Sequence, residues 1–152
     1  MVESIHKTIL VVDDTVENIQ IMSGLLQKSI YRMQAATNGQ EALEIAFSNN
    51  PPDLILLDIL MHGMDGYEVI RQLKENERTS HIPVLFLTAK NSEIDEEIGL
   101  RLGAVDFITK PIRPAIVLQR IKIHLDLSDR NSPVSEHVEI IGSLSAVQDP
   151  DS

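Results

Sequence analysis

The chain has 152 residues, enough for one domain with its own core plus a tail, and it carries a formal net charge of −10 and no cysteine. That charge argues against a field that grips DNA or anionic lipid, and the lack of cysteine excludes disulfides and thiolate sites and suits the cytoplasm. No apolar run reaches the ~20 residues of a membrane span, and the start, MVESIHKTILVV, lacks the long apolar stretch of a signal peptide.

In chain order, TILVV at 8–12 is predicted as a strand and 15–28 as a helix. A weaker strand at 33–36 is followed by the break Asn38-Gly39 and a helix over 40–49. Pro51-Pro52 leads into DLILLDI at 53–59, with a helix over 66–76; PVLFLT at 83–88 precedes a helix over 94–102. Gly103 breaks that helix before VDFI at 105–108, and the last helix is expected over 112–127. The runs at 8–12, 53–59 and 83–88 are apolar without alternation, the pattern of parallel strands covered on both faces. Strict alternation implies an α/β fold, a doubly wound five-stranded parallel sheet flanked by five helices, whose site lies beyond the carboxyl ends of the strands. After Leu127 the text changes to SDRNSPVSEHVEIIGSLSAVQDPDS, so 128–152 reads as a flexible tail or linker stub, against the alternative of a short added strand at VEII.

Parallel strands would bring Asp13 and Asp14, Asp58, Thr88 with Ala89, and Lys110 with Pro111 to one edge. Asp58 ends an aliphatic run, and a carboxylate at the edge of a core is unfavourable unless something compensates it. Three carboxylates within ~4–6 Å repel one another, and a hard divalent ion removes the conflict; Mg²⁺ is the natural choice. Such a site suits phosphoryl transfer. A carboxylate can attack phosphorus to form an acyl phosphate, the metal and Lys110 neutralise charge, and Thr88 can donate a hydrogen bond to a phosphoryl oxygen. Gly63 and Gly66 would let the loop after Asp58 bend closely around the metal. Singly, each residue has a plainer reading: Asp13 or Asp14 as a helix N-cap, Thr88 as a strand-end hydroxyl, Lys110 as a solvated lysine. Their arrival from four strand ends at one edge is what points to a site.

These residues carry a recognisable pattern. ILVVDD at 9–14, DLILLDILMHGMDG at 53–66, PVLFLTA at 83–89 and DFITKP at 106–111 resemble the receiver domain of bacterial two-component response regulators, over about residues 7–127. The resemblance implies a flavodoxin-like strand order of 2-1-3-4-5. It implies that Asp58 accepts a phosphoryl group from a histidine kinase or phosphotransfer protein. Asp14, Asp58 and the backbone carbonyl of Leu60 would hold Mg²⁺, with Asp13 acting through metal-bound water. Lys110 would pair with the phosphate, its bond to Pro111 would be cis, Thr88 would move toward the phosphate and Phe107 would swing inward. Activity would be limited to self-catalysed acceptance and autodephosphorylation, not that of an enzyme acting on other molecules.

Some positions depart from the family pattern. His62 stands where proline is common, and it is expected to be solvated, with no role as ligand or base. Phe107 lacks a tyrosine hydroxyl. Leu60 and Lys90 occupy the variable positions that tend to set phosphoryl lifetime. DDTVEN and RIKIHLDL also resemble receivers attached to larger signalling proteins, which makes the tail a linker whose output module lies outside this chain.

The resemblance puts the output surface on the fourth and fifth helices and the strand between them. At ~100° per residue, Val117, Leu118, Ile121 and Leu125 fall on one side of the last helix and Ile112, Ile116, Ile123 and Leu127 on the other. The second stripe reads as a homodimer or regulatory interface, against the plainer reading of a helix end packed under the tail.

Competing classes fit less well. A haloacid-dehalogenase-like phosphatase uses a second acid two residues after its nucleophile, which Asp58-Ile59-Leu60 lacks. A flavodoxin-like cofactor binder needs a loop that attracts phosphate, whereas DDTVEN presents two carboxylates. A kinase needs a Gly-rich nucleotide loop, and none is present. A degenerate receiver that never turns over stays open, although every expected site residue is there.

Overall fold

The computed structural model describes residues 6–89 and 93–130; Lys90 and the VEII segment lie outside them. The elements run β1 (Thr8–Val12), α1 (Val16–Gln27), β2 (Arg32–Ala36), α2 (Gly39–Ala46), β3 (Leu54–Asp58), α3 (Gly66–Glu75), β4 (Val84–Thr88), α4 (Glu93–Leu102), β5 (Asp106–Thr109) and α5 (Pro114–Arg130). The strands form one sheet in the order β2-β1-β3-β4-β5. Every neighbouring pair is parallel.

The aliphatic strands divide their side chains between two cores, because successive residues point to opposite faces. Leu10, Val12, Ile55, Leu57, Val84 and Phe86 meet Ala42, Leu43, Val69, Ile70 and Leu73 from α2 and α3. Ile9, Val11, Leu54, Leu56, Leu85 and Leu87 meet Met22 and Leu26 from α1 and Val117, Ile121 and Leu125 from α5. Two-sided burial explains why β1, β3 and β4 show no polar alternation.

Local chemistry sets the helix starts. Asn38 accepts a hydrogen bond from the Glu41 amide at 2.8 Å, while Glu41 accepts one from the Thr37 amide, so α2 begins at Gly39. Asp65 caps α3 by accepting from the Glu68 amide at 3.0 Å. α5 starts at Pro114, two residues later than the periodicity predicts, and runs on to Arg130. Proline suits a first helical position because its missing amide hydrogen has no partner there. Ile112 therefore precedes the helix and packs, half-buried, against the core of α1 and α5. The outward side of α5 carries Ile116, Ile123 and Leu127, the last two each 43% exposed.

Candidate functional site

The carboxyl ends of β1, β3, β4 and β5 converge on Asp13, Asp58, Thr88 and Lys110. β3 ends on Asp58, pairing with Leu87 of β4, and Thr88 of β4 pairs with Thr109 of β5. The Lys110 amide donates to the Thr88 carbonyl at 2.8 Å, which fixes the lysine one step beyond the ladder. The Lys110–Pro111 peptide bond is cis. Lys110 Nζ lies 3.3 Å from Asp58 Oδ2 and 3.6 Å from Asp13 Oδ2.

Asp13 is fully buried and does not cap α1; Thr15 takes the cap position. Asp13 Oδ1 instead accepts from the Thr15 amide at 2.9 Å, and Oδ2 accepts from Asn18 Nδ2 at 3.0 Å. Asn18, the last residue of DDTVEN, is a site neighbour that sequence reasoning did not single out. Asp58 is 5% exposed, and burial pushes its carboxyl above the ordinary range, with Lys110 opposing and Asp13 reinforcing. The Leu60 amide donates to Asp58 Oδ1 at 3.3 Å, holding that backbone against the carboxylate.

Asp14 accepts two hydrogen bonds from His62. The backbone amide reaches Oδ2 at 3.1 Å and imidazole Nδ1 reaches the same oxygen at 2.8 Å. The side-chain bond is the main reason that the Asp14 carboxyl sits below its usual value. His62 is solvent-exposed as expected, but it also has a partner, which the sequence reading did not assign.

Oxygens of Asp13, Asp14 and Asp58 all lie within 4.8 Å of one another, a set of hard donors that fits a small divalent cation. Beside them, Thr88 Oγ1 is buried with no hydrogen-bond partner among the described residues. A buried hydroxyl without a partner is rare, and this one borders the cluster.

The loop after β3 closes over Asp58 because residue 66 is glycine. A Cβ there would lie 2.6 Å from the Asp58 carbonyl oxygen and 2.9 Å from Ile59 Cα. Gly63, at φ 77°, supplies the turn before it. Behind Thr88, Phe107 is half-buried and stacked on Phe86 with ring centroids 6.2 Å apart, and Tyr67 meets Phe86 edge-on at 5.8 Å. Tyr67 donates to Asp95 of α4 at 2.5 Å. A cleft of about 630 Å³ between α4 and α5 is lined by Glu96, Asp106, Phe107, Arg113, Ile116 and Arg120 among others.

A doubly wound parallel sheet with a carboxylate cluster, a lysine and a buried hydroxyl at its carboxyl edge defines the class: an α/β protein with its chemistry at the strand ends. Residues 9–122 match the family model described as the response regulator receiver domain. The chain belongs to that family, the receiver module of two-component signalling.

It is 51% identical over 119 residues to a Vibrio cholerae protein named "Probable cyclic di-GMP phosphodiesterase", a match covering 78% of this chain and 26% of that one. It is 41% identical over 131 residues to the alkaline phosphatase synthesis transcriptional regulatory protein PhoP of Bacillus subtilis, covering 86% of this chain and 53% of PhoP. The chain thus spans a quarter to about half the length of these relatives. Among solved structures, the signal receiver domain of a Syntrophus aciditrophicus signal transduction histidine kinase superposes with a TM-score of 0.73 at 33% identity, covering 84% of this chain and 96% of that one. No helix among the described residues is long and apolar enough to cross a membrane.

Proposed function

We propose that this chain accepts a phosphoryl group on Asp58 from the phosphohistidine of a histidine kinase or phosphotransfer protein. The observation that carries this is a buried carboxylate 3.3 Å from a lysine, beside a buried threonine hydroxyl that lacks a partner. In the transfer, an Asp58 oxygen bonds to phosphorus as the P–N bond breaks, and the electron pair leaves on the donor imidazole nitrogen. Lys110, already against the Asp58 carboxylate, would pair with the incoming phosphoryl oxygens.

Asp14, Asp58 and the backbone carbonyl of Leu60 would hold Mg²⁺, with Asp13 acting through a water. Bound Mg²⁺ supplies neutralisation of charge on the transferring group. Gly66 and the loop it closes keep the Asp58 backbone tight against α3.

The new phosphoryl oxygens would give Thr88 Oγ1 its missing acceptor. The shift between inactive and active forms is bounded by that differential stabilisation, with whatever Lys110 and the metal add. Phe107 stacks on Phe86, its partner across β4 and β5 and two residues before Thr88, so a movement of Thr88 would reach the α4–β5–α5 face through that pair. There the outward Ile116, Ile123 and Leu127 and the cleft beside Phe107 favour a homodimer or partner contact. Residues 7–127 form the receiver unit in this reading, and 128–152 lead toward an output module, as the greater length of the relatives favours. A cytoplasmic location accompanies that role, and the net charge of −10 leaves no direct hold on nucleic acid or membrane.

The test is intact mass after incubation with acetyl phosphate and Mg²⁺, wild type beside D58N, with light scattering on the same samples. A metal-dependent gain of one phosphoryl group in the wild type alone supports the reading, and a coincident rise in particle mass supports the dimer. Equal labelling of D58N overturns the acceptor assignment.

A further inference from the structure

We propose that His62 is a positioning residue for the divalent cation, acting through Asp14. The inference rests on the reading above that Asp14 holds Mg²⁺. Two donors from this one residue, the amide at 3.1 Å and Nδ1 at 2.8 Å, converge on a single oxygen, Asp14 Oδ2. An ionised carboxylate only accepts, so the imidazole proton in this contact sits on Nδ1. Among the described residues no residue other than His62 donates to the Asp14 carboxylate, apart from the aspartate's own backbone amide. His62 clamps one oxygen and leaves the other for a cation.

That division matters because Asp14 is less firmly held than its neighbour Asp13. Its side chain is 20% exposed, whereas Asp13 is fully buried and tied to Thr15 and Asn18. A short side chain with two rotatable bonds would otherwise sample several rotamers before meeting the ion. His62 reaches across 48 residues of sequence to fix it, from a loop that turns immediately afterwards at Gly63. Proline at this position would supply neither donor. The imidazole itself is fully exposed and contacts no carboxylate of the cluster other than Asp14, so it is assigned no metal bond.

The experiment is calorimetric titration with Mg²⁺ alone, and with Ni²⁺ in competition with Mg²⁺, on wild type, H62A and H62N. H62N retains a donor at the place of Nδ1. H62A is expected to bind Mg²⁺ about tenfold more weakly, the low end of what hydrogen-bonded partners of metal-ligating groups contribute. H62N is expected to recover most of that loss, and the loss in H62A is expected to be alike for both ions. Wild-type affinity for Mg²⁺ in H62A overturns the inference. So does a loss confined to Ni²⁺, which favours imidazole nitrogen and would make His62 a direct ligand. A wild type that binds no Mg²⁺ overturns the cation reading together with this one, and so is distinguishable from failure of His62 alone.

Discussion

Lys110 Nζ stands 3.3 Å from Asp58 Oδ2, joining the end of β5 to the end of β3 across the intervening strand β4. The lysine compensates a carboxylate that burial would otherwise make unfavourable, but only in part: the Asp58 carboxyl remains above its ordinary value. Asp58 therefore opposes folding at neutral pH. Sites kept for chemistry commonly retain such strain.

The first prediction follows by linkage. With its folded value raised above the ordinary 3.8, Asp58 binds protons more readily in the folded than in the unfolded chain. Stability therefore falls as pH rises from the ordinary carboxylate range through the raised value, and the penalty is fully present above it. D58N removes the penalty and should gain about 1 kcal/mol at pH 7, or ~3 °C in Tm. Thermal melts from pH 3 to pH 8 check this. The advantage should vanish at the acid end, where the wild-type carboxyl is already neutral.

Thr88 gives a second expectation. Its hydroxyl is buried without a partner, so T88V should stabilise the protein by about 1 kcal/mol in the absence of a phosphoryl donor, since the desolvation penalty disappears. Urea titration measures that gain. In the presence of acetyl phosphate and Mg²⁺ the order should reverse, with wild type gaining stability that T88V does not.

Gly99 makes room for the aromatic pair behind the site. A Cβ there would lie 2.7 Å and 2.8 Å from Phe86 ring atoms and 3.1 Å from Phe107. G99A should therefore destabilise by about 1–3 kcal/mol through overpacking. Adding F86L should recover part of that loss, and a double-mutant cycle from urea midpoints should show favourable coupling between the two changes. Strict additivity would mean that α4 simply moves away.

Much of this was legible in the sequence, for particular reasons. β1, β3 and β4 announce themselves because two-sided burial leaves no polar residue in their interiors: Thr8 opens β1, and Asp58 and Thr88 close β3 and β4. The same two residues, with Asp13 and Lys110, mark the edge because a parallel sheet puts every strand end of one polarity together. Strand order was not in the spacing; it came with the family resemblance. The start of α5 was misplaced because Ile112 keeps the apolar periodicity while Pro114 decides where the helix begins. The contacts of His62 and Asn18 were not legible for a different reason. Each acts through a hydrogen bond to a carboxylate whose orientation depends on the folded loops, and His62 is 48 residues from its partner. The orphaned Thr88 hydroxyl is likewise invisible in sequence, because it is defined by what surrounds it.

Chemical trapping of the phosphorylated residue tests the assignment of Asp58 as the acceptor. The protein would be treated with acetyl phosphate and Mg²⁺, reduced with borohydride, which converts an aspartyl phosphate to homoserine, and mapped by peptide mass spectrometry. Reduction is expected at position 58 alone and is expected to be absent when the metal is chelated. Reduction at Asp13 or Asp14 in place of Asp58, or none at all in folded protein that binds Mg²⁺, would contradict that assignment.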